Sequence, residues 1–124
     1  MILADTSIWV DHFRSGNDRL RSLLDRFSIV LHPFIIGELA LGNFRNRDGV
    51  IGHLKNLPFA PRAGEEEVLY FIEQNRLMGR GIGYVDAHLL ASAALAEGVR
   101  IWTLDRRLAD AARALGLSAE TGEM

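Results

Sequence analysis

A chain of 124 residues, 48% apolar and 24% charged, has a globular composition that excludes extended disorder and fits one domain over residues 1–124 rather than two. A formal net charge of -2 excludes attraction of nucleic acid by the overall field, so an RNA or DNA partner must be held by local Arg clusters or metal-bridged phosphates. Without cysteine, and with neither a signal-like N-terminus nor an apolar run near the roughly 18 residues of a membrane span, a soluble cytoplasmic protein without membrane association is expected.

Residues 1–4 read as a short apolar strand ending at Asp5, Thr6 and Ser7, any of which can cap a helix opening at Ile8 and Trp9. Residues 15–18 break that helix, and Leu20, Leu23, Leu24 and Phe27 then recur at helical spacing. Ile29, Val30 and Leu31 within residues 28–32 give a second buried strand. Pro33, lacking an N–H donor, suits the start of a helix that carries Glu38. A polar turn at residues 45–49 precedes a helix over 50–56, and residues 57–61, with Pro58 and Pro61, give an edge strand at best.

Gly64 and the acidic run Glu65, Glu66 and Glu67 mark the start of a helix carrying Val68, Leu69, Phe71, Ile72 and Leu77. A glycine-rich linker at residues 79–83 leads into residues 84–97, a helix apolar on nearly every face and therefore central. Gly98 ends it. Residues 100–104 form a strand, 105–115 a helix and 116–119 a final edge strand. Such alternation points to an α/β fold, with a parallel sheet covered on both faces.

Asp5, Glu38, Asp86 and Asp105 lie in apolar sequence surroundings. An isolated carboxylate in a dry interior is costly, so their placement points to a shared counter-ion. Asp5 and Asp105 follow strands, at the carboxyl edge where open parallel sheets bind ligands. Asp86 falls in the first turn of the central helix, where the dipole favours an anion, and Glu38 lies one to two turns into its own helix. Gathered together, these acids would repel one another unless a hard divalent cation neutralised them, and their oxygens suit Mg²⁺ or Mn²⁺.

Taken singly, each acid also has a local explanation: helix caps for Asp5 and Asp105, a first-turn acid for Asp86, an amphipathic-face residue for Glu38. The metal reading rests on their combination. Thr6, Ser7 and Thr103 could orient a carboxylate or a metal-bound water, with Thr6 or Ser7 serving equally as a cap. His88, two residues from Asp86, points away from that helix face and reads as a core or surface histidine, while His12, His32 and His53 lack zinc-ligand spacing.

Residues 79–83 match no phosphate-binding glycine fingerprint and read as a mobile loop beside Asp86. Arg76, Arg80, Arg106 and Arg107 are available to a phosphate backbone or simply solvated. Trp9, Phe13, Leu41 and Phe44 read as core for the most part, with a groove for an amphipathic helix or a second subunit as the alternative.

The segments Met1-Ile2-Leu3-Ala4-Asp5-Thr6-Ser7-Ile8-Trp9-Val10-Asp11, Gly37-Glu38-Leu39-Ala40-Leu41-Gly42, residues 83–92 and Trp102-Thr103-Leu104-Asp105 together resemble PIN-domain nucleases, especially VapC-type toxins of bacterial toxin-antitoxin pairs. The resemblance runs almost end to end in order and spacing. It implies a PIN-like three-layer α/β/α sandwich with a mostly parallel sheet of about five strands and a Mg²⁺ or Mn²⁺ site at its carboxyl edge. It also implies a metal-dependent endoribonuclease in which a metal-activated water attacks the phosphodiester.

By motif, Asp5, Glu38 and Asp86 would be the principal acids, Asp105 a more variable fourth, and Thr6 a supporting group. Leu108 stands where many relatives carry Phe. The resemblance further implies RNA, above all tRNA, as substrate, a homodimer, and a small VapB-like antitoxin that wraps the apolar groove. Two other readings compete: a non-catalytic module whose acidic pocket docks a basic segment, and a housekeeping PIN nuclease that processes RNA.

Overall fold

The computed structural model describes residues 1–119; residues 120–124, which the expected domain includes, lie outside the described residues. Three parallel strands form its centre: β1 (Ile2–Ala4), β2 (Ile29–Val30) and β3 (Arg100–Trp102), in the order β2-β1-β3. Ile2 stands opposite both Ile29 and Arg100, and Ala4 opposite Trp102. Every residue of β1 is buried, and because alternate side chains point to opposite faces, both faces of this central strand are covered.

The two expected edge strands are reduced to one parallel bridge each, Leu31 with Phe59 and Ile101 with Ser118. Pro58 and Pro61 explain the first, since neither can donate to a ladder. What survives is the Leu31 N–H on the Pro58 carbonyl at 2.8 Å and the Ala60 N–H on the Leu31 carbonyl at 2.9 Å.

Among the described residues there are seven helices: α1 (Thr6–Ser15), α2 (Asp18–Asp25), α3 (Pro33–Ala40), α4 (Arg47–Leu54), α5 (Glu65–Gln74), α6 (Tyr84–Leu95) and α7 (Arg106–Ala114). Each expected helix is present, with displaced ends. α4 begins three residues early, at Arg47, after Asn46 reverses the chain with φ 56°. α6 is the central helix: every residue from Ala87 through Ala93 is buried, and the helix packs on β3 and α5.

α2 stops before Phe27 and α5 before Leu77, and both close in the same way. At the end of α2 the Phe27 N–H bonds Leu24 O at 3.0 Å and the Ser28 N–H bonds Leu23 O at 2.9 Å, with Phe27 itself left-handed at φ 55°. Glycine normally fills that place, as Gly116 (φ 71°) does after α7. Phe27 therefore leaves the buried stripe of Leu20 and Leu23 and is 86% exposed, which corrects the reading from spacing. No helix among the described residues is long and apolar enough to cross a membrane.

Candidate active site

Asp5 follows β1 directly and caps α1, its Oδ1 accepting the Ile8 N–H at 3.3 Å. Its own N–H bonds the Trp102 carbonyl at 3.0 Å, which ties it to the end of β3. The residue is only 6% exposed. Ser7 Oγ donates to Oδ1 and Thr103 Oγ1 to Oδ2, each at 2.5 Å. Those hydroxyls are themselves held, Ser7 by the Leu104 N–H and Thr103 by the Asp105 N–H, both at 2.9 Å. Burial raises the Asp5 pKa above its ordinary 3.8, while the Ser7 and Thr103 hydroxyls and the Ile8 N–H restrain the rise.

Asp105 caps α7, its Oδ1 taking the Arg107 N–H at 2.8 Å and the Leu108 N–H at 3.2 Å. Glu38 lies on α3, which packs against α1, and its Oε1 accepts the Thr6 hydroxyl at 2.6 Å. The order β2-β1-β3 thus sets out Glu38, Asp5 and Asp105 on the segments that follow three adjacent strands. Asp86 occupies the first turn of α6 and accepts the Gly83 N–H on Oδ2 at 3.1 Å.

The charges of the other three acids bear on Asp86. Burial pushes the Asp86 pKa up most, the Gly83 N–H opposes this, and the charges of Asp105, Asp5 and Glu38 each add a further rise. The expectation that all four sit in apolar surroundings needs correction, however. Asp5 is buried and Asp86 half-buried, but Glu38 and Asp105 are open to solvent. Their helices bury other faces, through Ile35 and Leu39 on α3 and Leu108 and Ala111 on α7. Asp5 and Asp105 both serve as helix caps.

The donor set suits a hard cation: oxygen only, negatively charged and mutually repelling. Among the described residues no three His, Asp or Glu side chains close around one point as they stand. Each outer acid keeps an oxygen in reserve, since Glu38 Oε2, Asp86 Oδ1 and Asp105 Oδ2 carry no hydrogen bond from the described residues. Those free oxygens are the ones open to a cation, and the exposed Glu38 and Asp105 side chains are open to solvent.

Two histidines have roles that ligand spacing could not disclose. His32 caps α3, its Nδ1 accepting the Phe34 N–H at 3.0 Å, and burial, with help from the His88 and Arg62 charges, lowers its pKa to about 4. The signal was its place directly before Pro33 at a helix start. His88 is a core residue, set edge-on to Phe34 and Tyr84 with ring centroids 4.6 Å away in each case.

Beside the acids, Phe13 stacks on Phe44 at 4.5 Å. Together with Val10, Arg14 and Glu38 they line a crevice of about 310 Å³. A second groove, of about 540 Å³, runs past Phe13, Leu24, Phe27 and Leu57. Leu41 is 90% exposed, whereas Trp9 is buried.

Residues 2–114 match the family described as PIN domain. The chain belongs to the PIN-domain family. All four acids of this PIN domain fall within the matched residues. Its relatives include Ribonuclease VapC32 of Mycobacterium tuberculosis, from strain CDC 1551 / Oshkosh and from strain ATCC 25618 / H37Rv. Each is 46% identical over 118 residues, which cover 95% of this chain and 95% of the relative.

Proposed function

We propose that this PIN domain is a VapC-type endoribonuclease, the toxin of a toxin-antitoxin pair, which cleaves RNA at a Mg²⁺ or Mn²⁺ site made by Asp5, Glu38, Asp86 and Asp105. The observation that carries this reading is Asp86, whose carboxyl feels the charges of the other three acids, in a chain 46% identical to Ribonuclease VapC32. When bound, the cation supplies a water of lowered pKa and neutralises charge on the scissile phosphate.

The residues divide the remaining work. Asp5 is the rigid member, fixed by Ser7, Thr103 and the Ile8 N–H. Glu38 and Asp105, exposed and each tethered through one oxygen, adjust to the substrate. Asp86, held through Oδ2 by the Gly83 N–H, would offer Oδ1 to the cation, and it or Glu38 would orient the attacking water. Thr6 orients Glu38 as Thr103 orients Asp5, and Ser7 belongs with them.

The domain spans residues 1–124 as a three-layer α/β/α sandwich, and its sheet reaches about five strands if the two outer bridges are counted. RNA, above all tRNA, is the substrate, a VapB-like antitoxin covers the grooves beside Phe13, and the protein is a cytoplasmic homodimer.

Incubation of the purified chain with tRNA, with Mg²⁺ or Mn²⁺ and then with EDTA, tests the activity. Cleavage that requires the metal and disappears in Asp5→Asn and Asp86→Asn is expected. Full activity of both variants would remove the mechanism, and binding of a basic peptide without any cleavage would favour a docking module. A short antitoxin-like reading frame beside the gene separates a toxin from a housekeeping nuclease.

A further inference from the structure

Arg107 is the second residue of α7, and its backbone N–H bonds the Asp105 carboxylate at 2.8 Å. Helical side chains lean toward the N-terminus, which here is the end that carries Asp105. The guanidinium comes to rest on Gly81, where an added Cβ would lie 2.6 Å from Nη1 and 2.7 Å from Cδ. Gly81 has φ +79° and stands two residues before Gly83, whose N–H holds Asp86. Arg107 therefore reaches from the cap of one acid to the loop that positions another. The missing side chain at residue 81 admits it.

Despite that company, Arg107 forms no ion pair among the described residues, where the pairs are Arg21 with Asp18, Arg47 with Asp48 and Arg113 with Asp110. A guanidinium that rests on the loop leading to Asp86 and pairs with no carboxylate keeps its donors for another anion. The neighbouring Arg106 is also exposed, and none of its atoms is among those nearest a glycine Cβ position.

On the reading of this site as an RNA nuclease, we infer that Arg107 grips a phosphate of the RNA strand adjacent to the one held at the acids, with Gly81 as the platform that fixes the guanidinium. A chain of net charge -2 has no general attraction for RNA, so a positioned cation has to supply it. Arginine is the suitable residue, because its planar fork meets two phosphate oxygens at once and lysine's single ammonium does not.

The test is fluorescence anisotropy with fluorescein-labelled single-stranded RNA of mixed sequence, using Asp5→Asn as the parent so that the probe stays intact. Adding Arg107→Ala is expected to weaken binding about tenfold at low salt and to make the plot of log affinity against log salt shallower by about 0.7, the value of one phosphate contact on a single strand. Arg107→Lys should recover the slope but only part of the affinity, and Arg106→Ala should change both less. Equal losses from Arg106→Ala and Arg107→Ala, or no loss from Arg107→Ala, would overturn the inference and leave the nuclease reading intact. A parent that binds no RNA would overturn it too, and cleavage by the wild type then decides whether the nuclease reading stands.

Discussion

Thr103 Oγ1 donates to Asp5 Oδ2 at 2.5 Å across 98 positions of sequence, and the same oxygen receives the Asp105 N–H at 2.9 Å. One hydroxyl thus fixes a buried acid and the turn that presents an exposed one. Thr103→Val keeps the shape and deletes the donor, leaving Asp5 less stabilised as an anion and its pKa higher still. A loss of about 1–3 kcal/mol of stability at neutral pH is expected in urea unfolding, together with reduced RNA cleavage. Thr103→Ser should restore most of both, and a fully stable, fully active Thr103→Val would show that the bond is dispensable.

Asp86→Asn should melt at a higher temperature than wild type in EDTA at pH 7, although it is expected to abolish cleavage. The folded pKa of Asp86 lies above 3.8, so the native state binds a proton more readily than the unfolded chain, and stability falls as pH rises through that window. Replacing the charge removes the cost, and the amide oxygen can still accept the Gly83 N–H. Magnesium should reverse the ranking by stabilising wild type more than the variant. A lower melting temperature for Asp86→Asn in EDTA would contradict the repulsion described.

Acid should act on His32 in the opposite direction. Its folded pKa of about 4 lies below the ordinary 6.5, so its neutral form belongs to the native state. The stability it contributes is complete above pH 6.5 and is lost as pH falls toward 4, where the unfolded chain takes up the proton first. His32→Asn retains a capping side chain and removes the titration. The difference between the urea midpoints of the two proteins should shrink between pH 7 and pH 4, and a difference independent of pH would refute the assignment.

Phe27→Gly should stabilise the isolated protein by about 1 kcal/mol in urea unfolding, because the left-handed closure of α2 strains any residue with a Cβ. Little packing is lost from a side chain so exposed. Destabilisation instead would mean that the ring's contacts in the Phe13 groove outweigh the strain.

The places of the candidate acids on the fold could be read from sequence, because Asp5 and Asp105 follow strands and Asp86 opens the long apolar helix. Burial was harder to read. Ile35 and Leu39 make the surroundings of Glu38 apolar, yet on a helix they turn toward the core while Glu38 turns toward water. The fold was legible wherever apolar periodicity ran long, as in α6, and least legible at reversals. Spacing alone placed Phe27 on α2, since the closure depends on backbone bonds of Leu23 and Leu24 that no pattern of side chains reveals. The contact of Arg107 with Gly81 joins two segments through the tertiary fold and left no mark in either.

Thr103 follows Asp5 by 98 positions, so the hydroxyl clamp cannot close until both segments have come together. Until β3 slots in beside β1, the earliest acid has neither its strand neighbour nor its hydrogen-bond donor. Docking of β3 on β1 is therefore the step that completes the surroundings of Asp5.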